Sequence, residues 1–101
     1  MCEFKIINET DGTQITEDIL VLSYTKNNEL IMKDILGMGE KLDSALIMNI
    51  NTMNQTCIVL QHPLIKDFIG LIKGIRKNND VKSEIDNFQN SLEEFKQNNR
   101  K

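Results

Sequence analysis

Pro63, the only proline in the chain, separates two hydrophobic rhythms. Upstream, apolar residues recur at every second position, as on a strand with one face turned inward. Downstream they recur every three or four residues, as along one side of a helix. Proline cannot donate to a central ladder, yet its fixed φ suits a first helical turn. The sequence therefore reads as a β-region to about Gln61 and a helical region after it.

Within the β-region, Cys2, Phe4 and Ile6 alternate with Glu3 and Lys5, and Asp11-Gly12 is a hairpin signal. Strand-like segments follow at Gln14–Thr16, Ile19–Thr25, Leu30–Leu36, Leu42–Asn51 and Thr56–Gln61. The breaks between them are Lys26-Asn27-Asn28, Gly37-Met38-Gly39 and Met53-Asn54-Gln55. Short strands with tight turns predict a small antiparallel β-barrel, Sm-like or OB-like, because closure removes vulnerable edges. The fold class expected is mainly β with C-terminal α, the barrel being followed by one or two helices.

Beyond Pro63, Leu64, Phe68, Leu71 and Ile75 form one apolar stripe, widened by Ile65, Ile69 and Ile72. Lys66, Lys73 and Lys77 fall on the opposite face. Arg76–Asp80 interrupts the pattern, and a second stripe follows at Val81, Ile85, Phe88, Leu92 and Phe95, with Asp80 or Ser83 as its cap. That stripe has the spacing of a short coiled-coil seam and is expected to pack across a dimer. Residues 1–61 are thus expected as a small β-barrel domain and 62–101 as a helical extension, its tail from Gln97 frayed.

A chain of 101 residues buries only a modest core, so a partner subunit would help it. The net charge of -3 argues against a general affinity for nucleic acid, which draws on many basic residues. Charge is unevenly placed: four lysines face nine acids in residues 1–60, and eight basic residues face six acids beyond them. No leader pattern opens the sequence and no apolar run has membrane length, so a cytoplasmic protein is expected, with its two cysteines as free thiols.

No catalytic constellation emerges, and the chain is not expected to be an enzyme: it has no nucleophile elbow, HExxH or CxxC. Gly37-Met38-Gly39 reads as a turn, and Gly70 and Gly74 as a flexible point or close helix crossing. Cys57, in an apolar strand, reads as a buried inert thiol. His62 is the sole histidine and reads as a junction residue, while Met32 and Met48 fall at core positions.

Cys2 is different. Once the initiator methionine is trimmed, it offers a thiolate and an α-amine on adjacent carbons, closing a five-membered chelate ring around Ni(II), Cu(II) or Zn(II). Two chains meeting at a two-fold axis would complete a four-coordinate site. The alternative is a small residue packed beside Phe4 and Ile6.

Met1-Cys2 opening a short strand, Glu17-Asp18-Ile19, Asp34-Ile35-Leu36-Gly37 before Glu40, and Ala45-Leu46-Ile47 through Ile58-Val59-Leu60 together resemble the CooT family. The resemblance spans about Met1 to Gln61. It implies a small homodimer that binds nickel for a client enzyme such as carbon monoxide dehydrogenase, with Cys2 as the ligand. Members have also been labelled predicted RNA-binding proteins, which gives the alternative of a small β-barrel module for RNA or protein without a metal. Glu3, Met38-Gly39 and Asn51 depart from the family pattern, and the helices lie outside it. A HypC-like iron chaperone also begins Met-Cys, but its apolar stretch and Pro-Gly are absent here.

Overall fold

The computed structural model describes residues 3–98. Seven strands precede two helices: β1 (Phe4–Asn8), β2 (Gln14–Ile19), β3 (Val21–Tyr24), β4 (Leu30–Lys33), β5 (Gly39–Leu42), β6 (Ala45–Asn51), β7 (Thr56–Gln61), α1 (Pro63–Arg76) and α2 (Lys82–Asn98). Mainly β with C-terminal α is therefore the architecture, with the change of rhythm at Pro63.

The strands form two sheets, ordered β2-β1-β7-β6 and β3-β4-β5. The expected closed antiparallel barrel is corrected on two points. The sheets do not join into a barrel, and β1 runs parallel to β7, pairing Ile6 with Cys57 and Ile7 with Ile58. The reason lies at the corners. Asp18 (φ 61) sits in a bulge where Glu17 and Asp18 of β2 oppose Lys5 alone of β1, and Ser44 (φ 53) turns the chain between β5 and β6. Left-handed residues at both places re-aim the strand into the other sheet, so neither ladder continues around.

The β1–β2 turn follows its sequence signal. Gly12 takes φ 73, and one Asp11 carboxylate oxygen accepts from both Thr13 N (3.0 Å) and Thr13 Oγ1 (2.7 Å), holding that carboxyl below its ordinary pKa. The segment Leu30–Leu36 is shorter than expected because Asp34 starts a turn, its carboxylate accepting from Leu36 N (2.9 Å) and Met38 N (3.0 Å). Gly39 then begins β5. A Cβ there would stand 1.7 Å from the Met32 carbonyl oxygen, so only glycine allows the pairing with Lys33.

The core between the sheets is small: Ile6, Ile19, Ala45, Cys57 and Val59 from one, Leu30 and Met32 from the other. Met32 is where the sequence places it. Met48 is not: it is 51% exposed at a β6 irregularity, because the register slips between Ile47 and Asn49.

Both helices are capped by identifiable groups. His62 is the N-cap of α1, and its Nδ1 accepts from Leu64 N (3.2 Å) while its carbonyl accepts from Ile65 N (3.0 Å). Ser44 Oγ donates to the His62 carbonyl and accepts from Lys66 N (2.9 Å), so the amides left free at the helix start all find partners. At the other end Asn78 adopts φ 60, Asn79 N donates to Gly74 O and Asn78 N to Ile75 O, a Schellman closure. Asp80 supplies the carboxylate that accepts from Lys82 N at 3.1 Å. No helix among the described residues is long and apolar enough to cross a membrane.

Candidate functional site

Cys2, the expected metal ligand, lies outside the described residues. The surroundings of the strand that follows it are described, and they bring together segments distant in sequence. Phe4, the first residue of β1, pairs with Ile19 at the end of β2. Ile19 in turn lines a cleft of about 290 Å³ with Glu17, Asp18, Asp34, Met38 and Glu40. Two of the segments on which the family resemblance rests thus converge at one end of the β-region.

Each of these acidic residues has a local structural setting. Glu17 and Asp18 occupy the β2 bulge, Asp34 holds the β4–β5 turn, and Glu40 stands opposite Met32 in β5. Among the described residues no three His, Cys, Asp or Glu side chains are grouped as a set that could hold a metal ion. The β4–β5 turn itself projects apolar side chains: Ile35, Leu36 and Met38 are all exposed, Leu36 to 81%.

Cys57 is fully buried, and burial pushes its thiol pKa up. The neutral thiol is therefore favoured, which makes it a poor ligand and nucleophile, as expected of an inert core residue. Tyr24, the only tyrosine, carries no sequence motif. Its hydroxyl donates to Ala45 O at 2.9 Å and accepts from Ile47 N at 3.3 Å, clamping β3 of one sheet to β6 of the other. Burial raises its pKa, with the Cys57 thiolate adding to the rise, against the lowering bond from Ile47. The signal available was an aromatic hydroxyl within an otherwise apolar, inward-facing register.

His62 has the structural role described above, with its ring 4.9 Å from that of Phe95. Lys66, Lys73 and Lys77 do not form one open track. Lys66 faces Asp43 at 3.5 Å, Lys73 Nζ donates to Asn28 Oδ1 at 2.6 Å, and Lys77 caps α1. Gly70 lies against the Asn28 side chain, and Gly74 against Val81, where a Cβ would come within 2.6 Å of the valine Cγ1. The pair therefore meets the β3–β4 turn and the connection between the helices, and neither glycine marks a helix crossing.

No family model matches the chain, and no curated protein matches it.

Proposed function

We propose that the protein is a CooT-like nickel-binding accessory protein, acting as a homodimer that holds one Ni(II) between the Cys2 residues of its subunits. It serves as a carrier and not as an enzyme, delivering nickel to a client such as carbon monoxide dehydrogenase. The observation that supports this reading is the convergence of Glu17-Asp18-Ile19 and Asp34–Glu40 on one cleft beside the start of β1. Phe4, two positions after Cys2 in the sequence, opens β1 and pairs with Ile19 of that cleft. The second cysteine does not compete, because Cys57 is buried and its thiol is held neutral.

The chemistry asked of Cys2 is simple. Thiolate and amine must both lose protons before they ligate, so nickel affinity weakens as pH falls. Protein lacking Met1 is expected to take up Ni(II) with a thiolate charge-transfer band in the near ultraviolet. Cys2→Ala is expected to remove that band and most of the affinity, while Cys57→Ala keeps both. Undiminished nickel binding by Cys2→Ala in equilibrium dialysis would falsify the proposal.

A second reading, a small β-module that binds a protein without any metal, draws on the exposed Ile35-Leu36 and Met38 at the β4–β5 turn. Tight apolar docking there would be lost in Leu36→Asp and indifferent to Cys2. RNA binding has weaker support, since Lys66 and Lys73 are engaged with Asp43 and Asn28.

A further inference from the structure

Neither helix contributes a buried residue, although both are amphipathic. Phe68 of α1 and Phe88 of α2 meet with ring centroids 5.9 Å apart. Alongside that contact runs a groove of about 420 Å³, with Leu46 of β6 and Ile65 and Ile72 of α1 among its walls. Its lining is apolar apart from Lys73. Phe68 remains 50% exposed and Ile72 41%.

Lys73 also belongs to a second cleft, of about 290 Å³, where the end of α1 and the start of α2 face the β3–β4 turn. Lys26 of that turn and Lys77, the C-cap of α1, line it as well. The ion pairs among the described residues are Lys41–Glu29 and Lys66–Asp43, so none of these three lysines is paired. Lys73 Nζ donates to Asn28 Oδ1 at 2.6 Å, a neutral partner that leaves the charge in place. Asp80 and Glu84 complete the charged lining, Asp80 with its carboxylate turned to Lys82 N. Three positive charges thus stand against two negative ones, an excess of one.

An apolar groove and a cationic cleft that share one lysine describe a ligand with an apolar chain and an anionic head. The size suits a small molecule, since ligand sites run to about 300–1,000 Å³ and are lined mainly by apolar side chains with a few polar groups. The single excess charge matches a carboxylate, whereas a phosphate monoester carries about −1.5 to −2. A membrane surface is a poorer match. Helix α2 carries Glu84, Asp86, Glu93 and Glu94 against Lys82 and Lys96, and an anionic bilayer would repel it.

We propose that the groove takes up the alkyl chain of a fatty acid, whose carboxylate is met by Lys73, with Lys26 and Lys77 adding to the positive field. Lys73 serves both ends, its methylene stem lying against the chain and its ammonium toward the head. The site uses neither Cys2 nor the start of β1, so it stands apart from the nickel reading.

The test is isothermal titration calorimetry on the metal-free full-length protein, freed of copurifying lipid, with laurate and lauryl alcohol as probes. Wild type is expected to bind one laurate per chain, and the alcohol at least roughly tenfold more weakly, for want of one charge-assisted contact. Ile72→Asp changes a side chain already exposed, so its circular dichroism should match wild type. It sets a carboxylate beside the alkyl chain, and laurate binding is expected to weaken at least roughly a hundredfold. Lys73→Gln should bring laurate down to the affinity of the alcohol without moving the alcohol. That variant also alters the contact with Asn28, so Lys26→Gln combined with Lys77→Gln, which keeps it, should weaken laurate alone as well. No uptake of laurate, the outcome if a second copy or another protein covers the groove, overturns the proposal. So does equal affinity for acid and alcohol, or laurate binding untouched by Ile72→Asp. Lauryl phosphate bound more tightly than laurate, or binding confined to phosphatidylglycerol vesicles, overturns it too. Cys2→Ala is expected to bind laurate as wild type does, so this proposal and nickel carriage fail separately.

Discussion

Tyr24 joins the two sheets through a single hydroxyl, and its removal is the cleanest probe of how they are held together. Tyr24→Phe strands the Ala45 carbonyl and the Ile47 amide with little change in volume, which costs about 1–2 kcal/mol by chemical denaturation. A loss near zero would mean that packing alone seals the sheets. Cys57 and Tyr24 also set the alkaline limit of stability. Burial raises both pKa values in the folded protein, so the unfolded chain sheds these protons first as pH climbs. Their contribution is complete below the unfolded thiol's ordinary value near 9.0 and is lost as pH rises toward the folded values. The denaturant midpoint should therefore fall as pH rises above about 9. Cys57→Ala lowers stability by about 1 kcal/mol near neutrality through lost packing, but flattens that decline. Parallel pH profiles for the two proteins would contradict the assignment.

At the scale of elements, the turns decide the topology, and one glycine tests this directly. Gly39→Ala places a methyl against the Met32 backbone, which has no side-chain freedom with which to yield. Several kcal/mol of destabilisation are expected, or loss of β5 from the sheet, visible as lost amide protection across Lys33–Leu42. Ordinary stability in Gly39→Ala would show that β5 pairs elsewhere. The same glycine illustrates what sequence could and could not disclose. Asp11-Gly12 and Pro63 mark local geometry, and both lie where their signals put them. Gly37-Met38-Gly39 also signals a turn, but the second glycine serves a close backbone approach and opens a strand, a distinction that only the partner strand reveals. Asp18 and Ser44 look like ordinary polar residues, yet their positive φ values split one expected barrel into two sheets. The parallel β1–β7 pair was equally hidden, because alternation fixes which face is buried and not which neighbour is chosen. For the site, the burial of Cys57 was legible, whereas the turn at Asp34 was not, because Leu30–Leu36 reads as one strand-like segment. The tyrosine clamp and the part of Ser44 at the start of α1 depend on residues about twenty positions away and were not legible either.

The whole molecule measures 45 × 38 × 21 Å and leaves a flank of each helix uncovered. A single thiolate–amine pair needs a second to complete a four-coordinate nickel site, so metal and subunits are counted together. Native mass spectrometry of protein processed to begin at Cys2, loaded with excess nickel and desalted, reads both quantities in one spectrum. The expected species is a dimer carrying one Ni(II), with Cys2→Ala giving a dimer of the same fold and no metal. Nickel retained by Cys2→Ala, one ion on each separate monomer, or a processed wild type that stays metal-free would contradict nickel carriage through Cys2.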